Sequence, residues 1–182
     1  MIVFRHTDPR FPFLWERAGQ PAGRWNADGE GPVNTFADTP EGAWAELIRH
    51  EEITDPRDVA GIRRSLWAVD VDSELTTVRP RLPRATMTGG PRSYAACRRE
   101  ASRLRERGVR AFTAPSAALV QGGAHGWCVD RGLHPGPARD GRVIVLLGPP
   151  LDVVGWEAVY EGRPSEELLS RVRHLGKRSP SR

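Results

Sequence analysis

The sequence predicts an α+β fold in one domain, and three observations carry that prediction. Short β-branched and apolar runs recur at 2–5, 33–37, 65–71, 109–113 and 143–147, bounded by Gly, Pro or polar clusters. Segments beginning at Thr39, over 93–107 and over 165–175 place apolar residues at helical spacing between start and stop signals. The chain holds 19 Gly and 16 Pro in 182 residues, about a fifth, which demands many turns yet stays short of a disordered composition.

The first strand is Ile2-Val3-Phe4-Arg5. Residues 7–34 then carry four Pro and four Gly with no period. A loop that long inside a compact domain is often functional, and Phe11, Phe13, Leu14 and Trp15 are expected to pin it to the core. Within it, Gly23-Arg24-Trp25-Asn26 sets a cation in a glycine-flanked turn. Val33-Asn34-Thr35-Phe36-Ala37 reads as a short strand. Thr39 is a good N-cap, Pro40 suits the first helical position and Glu41 the first turn. Ala43, Trp44, Leu47 and Ile48 form the apolar stripe of that helix, and Glu46 borders it. Such a Glu is either solvated at the stripe's edge or turned into a cleft, and the pattern alone favours the edge. Arg24 and Glu46 by themselves read as an ordinary ion pair.

Further along, 56–61 reads as a loop, 65–71 as a half-buried strand, 75–79 as another strand, and 80–91 as a linker. Residues 93–107 read as a helix, with Ser93 as N-cap and Gly108 as stop. Tyr94, Cys97, Ala101 and Leu104 make its inner face. Between Arg92 and Arg110 there are seven Arg against two Glu, read as a solvated outer face. After the strand 109–113 come a turn at 122–126, a short strand at 127–129 and a Gly/Pro loop over 131–141. The run 143–147 is the most apolar and is expected in the middle of the sheet. A strand at 153–160 and a closing helix at 165–175 follow.

The length suits one domain with a sizeable core, assigned to residues 1–176, followed by a basic, disordered tail over 177–182. Six Trp are the largest apolar side chains, so an aromatic-heavy core is expected. The net charge of +4, mostly from Arg, is compatible with nucleic acid, a phosphate-bearing small molecule or an acidic partner, and equally with a plain Arg-rich soluble protein. No helix-turn-helix, RNA-recognition or zinc signature supports the first of these. Cys97 and Cys128 lie far apart without metal-ligand spacing and read as two buried thiols. No metal is expected. No apolar run approaches ~18 residues and no leader pattern is present, so the expected location is the cytoplasm.

The order Val3-Phe4-Arg5, then Gly23-Arg24-Trp25-Asn26, then Ala37-Asp38-Thr39-Pro40 with Ala43 and Glu46, resembles the RES domain, a family named for its Arg, Glu and Ser. Arg110-Ala111-Phe112-Thr113-Ala114-Pro115-Ser116-Ala117 resembles its serine segment. The likeness runs over roughly residues 2 to 160. It implies a fold like that of ADP-ribosyltransferase toxins, a split antiparallel sheet around an NAD cleft. It implies consumption of NAD as substrate, by hydrolysis, phosphorolysis or ADP-ribosyl transfer to a protein acceptor. It also implies a bacterial toxin with an Xre-type helix-turn-helix antitoxin, whose C-terminal end blocks the cleft.

Carried over residue by residue, the resemblance makes Arg24, Glu46 and Ser116 catalytic. Trp25, Asn26, Arg5, Thr35, Phe36, Arg24 and Ser116 fall to the NAD site. Arg24 would hold the pyrophosphate or ribose, since a planar guanidinium binds phosphate oxygens bidentately. Glu46 would place negative charge near the ribose as the nicotinamide leaves. Ser116 would bond the ribose or the nicotinamide amide, or orient Glu46. Trp25 or Tyr94 would stack on a ring or serve as core. One position departs from the family. Members usually carry a Tyr four residues before the Ser/Thr-Pro, and Thr35 stands there. Phe36 points to the opposite face of the strand and replaces that Tyr only if the strand shifts or bulges. Two other readings therefore stand beside the enzyme: a catalytically weakened relative that binds a nucleotide or partner, and a basic nucleic-acid-binding protein.

Overall fold

The structure is a computed structural model describing residues 1–14, 16, 19–76, 78–149 and 153–175. Trp15 and the basic tail lie outside the described residues. The main sheet takes its strands in the order β4 (Ala111–Pro115), β7 (Arg142–Leu147), β2 (Val33–Ala37), β1 (Ile2–Thr7), β3 (Arg64–Asp70) and β8 (Val154–Gly162), every neighbouring pair antiparallel. The helices are α1 (Pro40–His50), α2 (Pro56–Ala60), α3 (Arg84–Thr88) and α4 (Tyr94–Glu106). The fold is α+β, and β7 sits inside the sheet as its apolar run requires.

The sheet is nearly divided down its middle. Among the described residues β1 and β2 meet at one register pair, Phe4↔Ala37, whereas β1 pairs β3 over six positions and β2 pairs β7 over five. One half is β4-β7-β2 and the other β1-β3-β8. Alternation along the strands then sets two cores on the front face. Over the first half, α4 packs Cys97, Ala101 and Leu104 onto Phe112, Ala114, Val143, Val145 and Val33. Over the second, α1 packs Ala43, Trp44, Leu47 and Ile48 with Leu66, Leu119 and Leu168. Behind the sheet, Val3, Phe36, Val69, Ile144 and Leu146 form a third core, closed by Phe13 and Leu14 of the long loop. A cleft is left on the front, between α1 and α4, above the seam.

Several local expectations are corrected. The core is aliphatic rather than aromatic-heavy: Trp25 and Trp44 are buried, but Trp127 and Trp156 are about half exposed, at 48% and 53%. Arg5 does not end its strand, which runs on to Thr7 through pairing with β3. The loop at 56–61 is α2, capped by Asp55 accepting from Arg57 N. The linker 80–91 contains α3. Residues Ser73–Thr76 turn as a short 3₁₀ helix where a strand was expected, and Glu166–Arg171 do so in place of the closing α-helix. Ser93 caps α4 without a side-chain bond to its backbone, because a 3₁₀ turn over Pro91–Ser93 feeds the helix. Leu133–Pro135, inside the expected 131–141 loop, is strand β6, paired with β5 (Trp127–Val129). Cys97 is buried as expected, but Cys128 is exposed on that hairpin.

Candidate functional site

The Arg24 turn is built by its neighbours. Gly23 N donates to Asn26 O at 3.0 Å and to Asn26 Oδ1 at 3.1 Å, and Asn26 Nδ2 donates to Pro21 O at 3.0 Å. A Cβ on Gly23 would lie 2.7 Å from Asn26 Oδ1, so the turn closes tightly only around glycine. Trp25 drops into the α4 core, its ring edge-on to Phe112 with centroids 4.9 Å apart. Trp25 and Asn26 thus hold the loop, and Arg24 is left over the cleft.

The arginine-rich helix supplies the other clasp. Arg98 Nε donates to Gly23 O at 2.8 Å and Arg105 Nη2 to Trp25 O at 3.1 Å. Glu30 accepts from Ser102 Oγ at 2.6 Å, Ala27 N at 2.7 Å and Arg105 Nη1 at 3.0 Å. The run of arginines read as a solvated face therefore has an inward side that grips the Arg24 loop. Replacing Glu30 with Ala strips three partners at once. We expect a loss of about 1–3 kcal/mol in urea unfolding, with an Arg105→Ala background absorbing much of it in a double-mutant cycle.

Glu46 reaches the same place from α1. Thr39 Oγ1 accepts from Gly42 N at 3.0 Å, Pro40 begins the helix, and burial of the apolar stripe fixes its rotation. Glu46 is turned into the cleft, not solvated at the stripe's edge. Its oxygens make no ion pair within 4 Å of Arg24, whose Nη2 donates instead to Gly89 O at 2.9 Å while the guanidinium lies 4.6 Å from the Tyr94 ring centroid. Arg24 Nη1 is buried and meets no hydrogen-bond partner among the described residues.

Ser116 arrives on the turn after β4, its N–H donating to Gly141 O at 2.8 Å. Its Oγ accepts from Ala118 N and Leu119 N, both at 3.2 Å, which leaves the hydroxyl proton to point at Glu46 Oε1, 3.3 Å away. The serine is buried. Its geometry is that of a group orienting the carboxylate, with its lone pairs spent on the turn. Burial raises the Glu46 pKa above the ordinary carboxylate value, and the charges of Arg24 and Arg49 and the bonds from Ser116 and Ala118 offset only part of this.

The cleft encloses about 500 Å³, within the usual range for a small-molecule site of roughly 300–1,000 Å³. Among the described residues its charged lining is Arg5, Arg24 and Arg49 against Glu46 alone. Arg5 donates to Asn34 Oδ1 across the seam and lies over the Phe36 ring at 5.7 Å, and burial lowers its pKa to about 10, so it stays charged at neutral pH. His6 is held to about 3 by burial and then by the charges of Arg5, Arg64 and His50, so its imidazole is neutral there. Thr35 lines the cleft. Phe36 borders it, but its ring is buried in the rear core, and β2 pairs β7 in unbroken register through Thr35↔Val145 and Phe36↔Ile144. There is no bulge to carry Phe36 into the place of Thr35. Tyr94, first residue of α4, is the aromatic ring standing beside Arg24. Sequence reasoning missed His6 and Arg49. Only the i, i+3 spacing from Glu46 pointed towards Arg49.

Among the described residues no His, Cys, Asp and Glu cluster forms a metal site, and no helix is long and apolar enough to cross a membrane. A family model described as RES domain matches residues 2–153. A comparison with curated proteins finds no match. Among solved structures, a chain of the M. tuberculosis MbcT–MbcA toxin–antitoxin complex is similar in fold, with a TM-score of 0.60 at 14% identity over 93% of this chain and 86% of that one.

Proposed function

The chain belongs to the RES domain family, and from that premise we propose that it cleaves the nicotinamide–ribose bond of NAD, acting in the cytoplasm as the toxin of a toxin–antitoxin pair. The observation that carries this reading is Glu46, the lone carboxylate among the described residues lining a cationic cleft, oriented by a buried serine. A pyrophosphate would supply further negative charge to a cleft whose described lining sets three Arg against one Glu. As the C1′–N bond breaks, the bonding electrons leave with nicotinamide, which departs neutral, and positive charge spreads over C1′ and the ribose ring oxygen. A fixed carboxylate in a water-poor site stabilises that charge without reorganising, the main electrostatic lever of such sites. The oxocarbenium-like state is the one glycosidases stabilise, here served by one carboxylate where they use two.

Ser116 sets the angle of Glu46, and Arg24, stacked on Tyr94, holds the phosphates. Water, phosphate or a protein side chain then takes the ADP-ribose. An Xre-type antitoxin whose terminal segment fills the cleft is the partner this reading calls for. The test is incubation of the purified protein with NAD and chromatographic detection of nicotinamide and of the ADP-ribosyl product. Intact NAD after prolonged incubation rejects the reading.

Thr35 favours a second reading, a family member that binds the nucleotide with little turnover. Thr35→Tyr restores an aromatic ring to the cleft wall on unbroken strand register, and we expect it to raise NAD turnover about 10-fold or more, by positioning the leaving group. Cleavage by that variant alone, with NAD untouched by the natural protein, would establish the binding role. The arginines of α4 that clasp the Arg24 loop are not free for a nucleic acid, which weakens the third reading.

A further inference from the structure

Arg49 is buried, one helical turn beyond Glu46, and the chemistry above gives it no task. Its donors are spent on backbone. Nη1 donates to Arg173 O, and Nη2 donates to Gly89 O at 3.1 Å and Thr88 O at 3.4 Å. Gly89 O is also the acceptor that fixes Arg24, at 2.9 Å. Two like-charged guanidiniums thus converge on one carbonyl oxygen, with the Glu46 carboxylate as the balancing charge. The corner that presents this oxygen depends on glycine, since a Cβ on Gly89 would fall 2.9 Å from Ser93 Oγ and 3.0 Å from Ala85 O.

We infer that Arg49 is a positioning residue: it supplies the balancing charge for Glu46 and fixes Arg24 through the Gly89 carbonyl that both guanidiniums share. It needs no contact with substrate, because its hydrogen bonds already run to Gly89, Thr88 and Arg173. This inference rests on the reading of Glu46 as the working carboxylate. Arg24 from the loop, Arg49 from its own helix, and Ser116 and Ala118 after β4 act on Glu46, while Tyr94 on α4, Arg5 and His6 on β1 and His50 at the end of α1 line the same cleft. Arg24 and Arg49 are the cations whose fields act on it, and burial works against both. Burial and the neighbouring Arg24 lower the Arg49 pKa, but from so high an ordinary value that its charge is kept across the pH range in which a carboxylate titrates.

The test reads Glu46 directly, in the full chain without NAD, by following its carboxyl carbon through a pH titration by NMR. Arg49→Gln is expected to move the Glu46 midpoint up by about one pH unit, a tenfold change in its ionised fraction at a given pH. Arg49→Lys keeps the charge and is expected to leave the midpoint nearly in place. Arg49→Met, unbranched and without charge, substitutes for the Gln variant if that one does not fold. In the same proteins the acid limb of kcat/KM for NAD should move with the Glu46 midpoint, while KM changes less. A midpoint that stays put in Arg49→Gln or Arg49→Met overturns the inference, as does a Lys variant that shifts as far as the neutral ones. Because the titration needs no turnover, absence of NAD cleavage by the natural protein counts against the proposed function and leaves this result readable.

Discussion

Glu46→Gln will cut nicotinamide release, lowering kcat by about 10²–10³-fold, the effect of removing one preorganised electrostatic group, and it will do so while making the protein more stable at neutral pH. Gln keeps the shape and still accepts from Ser116 Oγ, so the loss isolates the charge. The stability gain follows from the direction of the Glu46 pKa, which burial raises in the folded chain. Between the unfolded value, about 4.3, and the higher folded one, the folded state binds more protons than the unfolded. Stability therefore falls as pH rises through that window and stays lower above it. Gln removes this penalty, so its melting temperature should exceed that of the natural protein at pH 7.5 and match it below about pH 4. Nicotinamide release at the natural rate in the variant would end the role assigned to Glu46. Equal melting temperatures at both pH values would show that the carboxylate costs the fold nothing.

Trp25→Ala will have the largest effect on stability. The indole is 4% exposed, edge-on to Phe112, and belongs to the same core cluster as Val33, Leu104, Val143 and Val145. Truncation leaves a cavity in the α4 core, and large-to-small changes of this kind cost about 3–5 kcal/mol, against a total stability of roughly 5–15 kcal/mol for a domain. The same change unseats Arg24, the adjacent residue, so KM for NAD should rise together with the fall in the urea midpoint. Trp25→Phe keeps an aromatic edge against Phe112 and should recover a large part of both. A midpoint unchanged in Trp25→Ala would mean that the loop is not anchored by this ring.

The parts of the fold legible in the sequence were those with strong local patterns. The β2–α1 unit was clear because a β-branched run, a Thr-Pro cap and a helical stripe agree with one another. The 143–147 run marked an interior strand because both its faces are covered. What escaped depends on long-range partners. Helices as short as α2 and α3 carry too little periodicity to separate from loops. The inward side of the arginine run was invisible because its partners, Gly23 O, Trp25 O and Glu30, lie about seventy-five to eighty residues away. Pattern alone put Glu46 at a solvated edge and paired it with Arg24. The fold instead sends Arg24 to Gly89 O and turns Glu46 towards Ser116, a choice set by tertiary geometry. The face opposition of Thr35 and Phe36 was legible, since it needs only the two-residue period of a strand.

The meeting of β1 and β2 at Phe4↔Ala37 has a mechanical meaning. Hydrogen-bond ladders are stiff along their length, and stiffness scales with the number of rungs. With one rung at the seam and five or six on either side, the compliance of the sheet is concentrated along a single line. That line runs beneath the cleft, so any tilt between the two halves would turn about it. Widening the cleft would strain that backbone pair, the Arg5–Asn34 bond and the bonds that cross above them, Arg49 to Gly89 O and Thr88 O and Ser116 to Glu46. The Ser116–Glu46 bond and the Gly89 carbonyl shared by Arg24 and Arg49 thus act as latches over that line.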